Sequence, residues 1–245
     1  MLKIDNVIDN VLERFMPHKC VLCRQNSQRG FCENCQSLLP WKQAFCRICA
    51  RESEHQQICS HCQKRRPVYT NAIIPFHYQT PILDYIHLFK YLEKISHGHA
   101  LAKMMVQFAW LHEQPQPDLI IPVPLHPRRL RQRGFNQALE LAKPLGVMLD
   151  RPVEALLLER VEDTPSQTGL NEAMRRRNVK QAFDTTRACP NVHVALIDDV
   201  VTSGSTVNEA AKTLLENGAK TVCIWAVSKT ASSWEQDIPS DIQLK

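Results

Sequence analysis

Two adjacent carboxylates, Asp198 and Asp199, follow the apolar run Val192 to Ile197, and a short loop, Thr202-Ser203-Gly204-Ser205-Thr206, comes just after them. Paired acids of this kind can accept hydrogen bonds from a diol. A loop of Thr, Ser and Gly ahead of a helix start offers a phosphate several backbone N–H groups, hydroxyls and the positive end of a helix dipole. Ribose 5-phosphate presents both features. The stretch has no lysine, which excludes the GxxxxGK[ST] loop of nucleoside-triphosphate enzymes, and its single glycine excludes the GxGxxG dinucleotide turn. Such a site must be carried by a strand, a loop and a helix. Val192 to Ile197 is β-branched and apolar, and Val207, Ala210, Ala211, Leu214 and Leu215 recur at helical spacing.

A second group of residues has complementary charge. Leu119 to Val123 reads as a strand closed by Pro124, and Arg128, Arg129, Arg131 and Arg133 follow within six residues, with no acid between Leu119 and Leu139. A positive loop beside a strand's carboxyl end can bind pyrophosphate, because guanidinium forks match phosphate oxygens. Residues 160–183 are polar, contain Pro165 and Gly169, and join two apolar runs, Val153 to Leu158 and Val192 to Ile197. A connection of this length inside a compact domain suggests a lid.

Cysteine supplies a third pattern. Eight of the ten cysteines form four CxxC pairs, Cys20/Cys23, Cys32/Cys35, Cys46/Cys49 and Cys59/Cys62. Two intervening residues let a tight turn aim both thiolates at one metal, and two turns complete a zinc tetrahedron. Neighbouring pairs are expected to combine, 20/23 with 32/35 and 46/49 with 59/62; a crossed pairing has the same sequence pattern. Cys189 and Cys223 lie outside the array, and Cys223 reads as a buried thiol. The basic excess also lies in this region. Residues 1–66 hold 11 Lys/Arg and 6 Asp/Glu, and the remainder 19 of each. Two four-thiolate zinc centres, at −2 apiece, would cancel most of that excess, so net charge alone does not establish nucleic-acid binding.

The 245 residues, 44% hydrophobic with seven glycines, suit one α/β domain with a small added module. Five parts are expected: an amphipathic helix over 1–17, a zinc ribbon over 18–66, a connecting or hood segment over 67–117, the core over 118–233 and a tail over 234–245. The connecting segment should hold a strand from Val68 to Phe76 and helices from Ile82 to His97 and Ala100 to Leu111. Asp5, Asp9 and Glu13 interrupt the N-terminal apolar stripe, so neither a secretion signal nor membrane insertion is expected, and a cytoplasmic location follows.

Taken together, Val194-Ala-Leu-Ile-Asp-Asp-Val-Val-Thr-Ser-Gly-Ser-Thr206 resembles the phosphoribosyl pyrophosphate (PRPP) signature of the type I phosphoribosyltransferases. Pro122-Val-Pro-Leu-His-Pro127, Arg133-Gly-Phe-Asn-Gln137, Thr164-Pro-Ser-Gln-Thr-Gly-Leu170, Arg175 to Asn178 and Ala182-Phe183 are similar to the ComF/GntX branch, which also carries an N-terminal zinc ribbon. The resemblance implies a Rossmann-like α/β fold, a mainly parallel sheet flanked by helices. It assigns Pro122 to Leu125, with Val123, Pro124 and Leu125 as ligand contacts, to a pyrophosphate loop, Arg128, Arg129, Arg131 and Arg133 to phosphate contacts, Asp198 and Asp199 to catalysis at the ribose, and Thr202 to Thr206 to the 5-phosphate. It implies structural Zn²⁺, Mg²⁺ bound with PRPP, and a part in natural competence or the handling of imported DNA. Single-stranded DNA or other nucleic acid, and other competence proteins, are the partners it suggests. Two classes of function remain open: a magnesium-dependent transferase acting on PRPP, or a nucleic-acid-binding accessory factor whose PRPP pocket is a sensor or relic.

Overall fold

A computed structural model describes residues 19–27, 30–53, 58–91, 95–162 and 181–231. The expected N-terminal helix, most of the expected lid and the C-terminal tail fall outside these residues.

The cysteine region consists of two copies of one frame. Each begins with a CxxC turn closed by a residue of positive φ, Arg24 (63°) after Cys23 and Ala50 (54°) after Cys49. An antiparallel bridge then closes each turn, Lys19 to Asn26 and Phe45 to Glu52. The second CxxC of each copy opens a one-turn helix, α1 (Glu33–Ser37) and α2 (Ser60–Lys64). The glutamine after the last cysteine donates back across that turn, Gln36 to the Phe31 carbonyl (2.8 Å) and Gln63 to the Ile58 carbonyl (2.9 Å).

Beyond the ribbons come β1 (Ala72–Ile73) and β2 (Phe76–His77), α3 (Ile82–Tyr91), α4 (Ile95–Gln107), α5 (Ala109–His112) and β3 (Leu119–Pro122). The strand expected from Val68 to Phe76 is two short ones, because Pro75 has no N–H to give the ladder. Then follow α6 (Pro127–Arg133), α7 (Gln137–Leu149), β4 (Leu158–Arg160), β5 (Phe183–Thr185), β6 (His193–Val201), α8 (Ser205–Glu216) and β7 (Thr221–Lys229). Strands β1 and β2 both pair with β7, β7 with β6 and β6 with β3, all parallel. On the outer edge of β3, Ile120 bridges Val153 in the same sense. The run Val153 to Leu158 is therefore not one strand: it touches the sheet at Val153, leaves, and pairs β4 antiparallel with β5. Leu156, 77% exposed, lies between the two contacts, while Leu157 and Leu158 are buried.

Alternation along the strands divides the core in two. Leu119, Ile121, Val194, Leu196, Ile224 and Ala226 face α8 through Val207, Ala210, Ala211 and Leu214. Ile120, Ala195, Ile197, Trp225 and Val227 face α3, α4 and α7 on the other side. Helices on both faces are what an all-parallel sheet needs to bury both surfaces. The ribbons are docked on this body. Phe31, Leu39 and Phe45 belong to the second core, and Pro40 to Lys42 runs antiparallel along β2: His77 N donates to the Pro40 carbonyl (3.0 Å), Lys42 N to that of Pro75 (2.8 Å). That contact covers an edge that would otherwise be open.

Candidate binding cleft and zinc centres

The four-cysteine sets are Cys20, Cys23, Cys32, Cys35 and Cys46, Cys49, Cys59, Cys62, each with its sulfur atoms within 4.8 Å of one another. The neighbouring-pair arrangement is thus the one the fold makes. A tetrahedron with Zn–S of about 2.3 Å sets sulfurs about 3.8 Å apart. Cys23 to Cys32 is 3.6 Å and Cys49 to Cys59 is 3.7 Å. These separations are far too long for a disulfide, whose sulfurs are about 2 Å apart. One sulfur in each set also accepts a backbone N–H, Cys20 from Cys32 (3.3 Å) and Cys46 from Cys59 (3.4 Å). Such bonds orient thiolates on zinc. Both sets fit structural Zn²⁺.

The paired acids lie in the carboxyl half of β6, whose ladder runs on through Val201, beyond the end expected at Ile197. Asp198 is opposite Ala226 on β7, and Asp199 is only 8% exposed. After Val201 the chain turns at Gly204 (φ 83°) into α8. A Cβ there would have room, its nearest neighbours being 3.8 Å or more away. Conformation and not crowding calls for glycine at this turn.

The arginine cluster departs from the expected loop. Pro127 at the first helical position and Gly134 (φ 80°) past the end make it a helix, α6. His126 adds a cap, its Nδ1 accepting the Arg128 N–H (3.3 Å). Proline at the start and glycine at the end are the usual helix boundaries. Helical spacing then separates the four arginines. Arg129 and Arg133, four apart and so on one face, line a cleft together with Val123, Pro124, Leu125, Asp198, Asp199, Thr202, Gly204 and Thr206. Arg128 and Arg131 do not line it, and Ser203 and Ser205 line a different cleft, on the other side of the loop. The first cleft holds about 280 Å³. Asn136 braces its wall: its Oδ1 accepts the Ala138 N–H at the start of α7 (3.0 Å), and its Nδ2 donates to the Val123 carbonyl (3.1 Å).

Two further cations line this cleft, Lys90 of α3 and Arg160 of β4. Lys90 Nζ is 2.8 Å from Asp199 Oδ2. Burial is the largest single influence and acts to lower its ammonium, but the charge and hydrogen bond of Asp199, with the charge of Asp198 behind them, together outweigh it and hold Lys90 above the usual lysine range. Asp198 is pushed up to about 8, first by burial and then by the charge of Asp199 beside it. With Asp198 holding its proton and Lys90 its charge near neutral pH, the site can both accept and donate hydrogen bonds. A signal for Lys90 existed in the sequence. It follows Phe89 and sits four residues after Ile86, so it lies along the stripe that α3 buries, where a lysine needs a partner. Arg160 had none, because its place depends on how β4 pairs with β5.

Several known proteins are similar to this chain. Residues 11–63 match the model of the double zinc ribbon domain. The chain is 33% identical to the DNA utilization protein YhgH of Salmonella typhi over 223 residues, 88% of this chain and 98% of that one. It is also 33% identical to Competence protein F of Haemophilus influenzae, with the same shares covered. Among solved structures it is similar to the purine phosphoribosyltransferase of Pyrococcus horikoshii, at 18% identity and a TM-score of 0.32 over 56% of this chain and 72% of that one. No helix among the described residues is long and apolar enough to cross a membrane. With a third of its residues shared along nearly the whole length of its relatives, and with the ribbon those residues predict, the chain belongs to the ComF/GntX family.

Proposed function

We propose that the protein binds PRPP in the cleft between β6, α6 and the 202–206 loop, and that a Mg²⁺-dependent transfer follows there in which an acceptor nucleophile bonds to the anomeric carbon as the bond to pyrophosphate breaks and pyrophosphate leaves. The observation that carries this reading is the juxtaposition of Asp198 and Asp199 with Arg129, Arg133 and the phosphate-type loop in one cleft. Thr202, Gly204 and Thr206 hold the 5-phosphate, and Asp198 and Asp199 take the two ribose hydroxyls. Arg129 and Arg133, with the 123–125 loop, bind the pyrophosphate and stabilise its charge as it leaves. Carbon–oxygen cleavage leaves positive charge on the sugar, and the acid pair beneath it offsets that charge. The carboxylates and the pyrophosphate are the hard oxygen donors Mg²⁺ prefers, and when bound it would neutralise the leaving group. Because Lys90 holds Asp199 in the free protein, diol binding must compete with that ion pair. The names of the relatives extend the reading to the use of DNA in natural competence, within the cytoplasm.

Calorimetric titration of the zinc-loaded protein with PRPP, with and without Mg²⁺, tests it. Binding is expected only with Mg²⁺, and Asp199→Ala should reduce it by about a hundredfold or more, the cost of a lost charged partner in a buried site. Equal binding by Asp199→Ala would overturn the assignment of this cleft.

A further inference from the structure

The phosphate-type loop has a second face. Ser203 and Ser205, which leave the first cleft, line another of about 400 Å³ between α8 and the second zinc ribbon. Their hydroxyls are 2.9 Å apart. Arg51, Arg65 and Arg66 from the ribbon, Lys212 from α8 and Lys229 from the end of β7 also line it, against one carboxylate, Glu209. That carboxylate is engaged, since its Oε1 accepts the Gln181 N–H (2.8 Å). A four-thiolate zinc centre behind Cys49 and Cys62 would add two negative charges and leave the wall at about +2. Arg65 and Arg66 are exposed, and neither guanidinium has an ion-pair partner among the described residues. Lys229 reaches the other way: its Nζ donates to the Thr202 carbonyl (3.0 Å), so one buried side chain touches the loop that borders both clefts.

Excess cationic charge, two arginine forks and a pair of hydroxyls together form a receptor for a phosphate. The volume suits a ligand of nucleotide size. We propose that this cleft is a second site, distinct from the PRPP cleft, that binds a terminal phosphate monoester, either of a free nucleotide or at the end of a nucleic-acid strand. A monoester is favoured over a backbone diester because it carries close to two charges at neutral pH and the cleft has about that excess. The site stands whether or not the first cleft binds PRPP.

The test is titration of the zinc-loaded full chain with AMP, with a short oligothymidylate carrying a 5′-phosphate, and with the same strand ending in a 5′-hydroxyl. At least one phosphorylated probe should bind; AMP alone points to free nucleotides, the phosphorylated strand alone to strand ends. Arg65→Ala/Arg66→Ala should weaken that binding by about tenfold or more, the effect expected for lost charged hydrogen bonds. Lys212→Ala, which lies outside the ribbon, should weaken it as well and covers the case in which the arginine variant loses zinc. Asp198→Ala/Asp199→Ala, which removes the diol partners through which AMP could also occupy the first cleft, should still bind the phosphorylated probe. The proposal is overturned if neither phosphorylated probe binds, if the hydroxyl-ended strand binds as tightly, or if the acid-pair variant abolishes binding while the cleft variants do not.

Discussion

The two zinc ribbons share a frame and differ in what they do with it. Both set their cysteines by the same turn, a positive-φ residue at the same position and the same glutamine return bond. Yet at the position before the third cysteine, Phe31 is fully buried against Tyr85, with ring centroids 5.3 Å apart, whereas Ile58 is 40% exposed. Phe31 belongs to the large core under α3 and α4, while Cys46, Ile48, Cys49 and Cys62 form a small cluster of their own. The metal determines the local fold, and the flanking side chains determine its attachment. The first ribbon therefore enters the core at its second CxxC through Phe31, while the second enters it at its first CxxC through Phe45 and Ala50 and leaves its other end as the wall of a basic cleft.

The largest effect should come from breaking that attachment. Phe31→Ala is expected to cost about 3–5 kcal/mol, the range for emptying a buried aromatic site, against about 0.5 kcal/mol or less for Ile58→Ala. Denaturant unfolding of both variants decides it, and equal losses would remove the distinction between the ribbons. Next come the metals themselves. Cys35→Ser and Cys62→Ser should each reduce zinc from two ions per chain to one, by elemental analysis. Cys35→Ser should lower the unfolding midpoint of the core more than Cys62→Ser does, because the third-cysteine end of the first ribbon holds the fully buried Phe31 whereas that end of the second carries the half-exposed Ile58. Loss of core stability by Cys62→Ser alone would reverse the comparison.

The third effect concerns pH. Asp198 retains a proton in the folded protein up to about 8, while the unfolded chain releases it in the ordinary carboxylate range. Stability from this group therefore falls as pH rises from about 4 to about 8, with the full penalty above that. Asp198→Asn should be more stable than the parent above pH 8, by an amount that shrinks toward zero near pH 4. A constant difference across that range would show that the shift is not the cause.

Much of this was legible in residue types and spacing. The CxxC array announced zinc because two tight turns, each presenting a pair of thiolates, supply a whole tetrahedral ligand set. The order of apolar strand, paired acids, Thr/Ser/Gly loop and helix was readable because each part has a local requirement, β-branching, a positive φ or helical spacing. Gly204 is one instance, since the αL turn it makes is a property of the backbone alone. The resemblance to the ComF/GntX branch rested on the same short segments.

What the tertiary structure decided is which side chains meet. Four closely spaced arginines looked equivalent in sequence, but α6 sends Arg129 and Arg133 into the cleft and turns Arg128 and Arg131 away from it. Residues of one short loop were divided between two clefts. Lys90 reached Asp199 from far earlier in the chain because α3 packs against the sheet at that end. Local chemistry depends on neighbours along the chain and can be read from it. Charge pairing and cleft walls depend on neighbours across the sheet, and only folding brings those together.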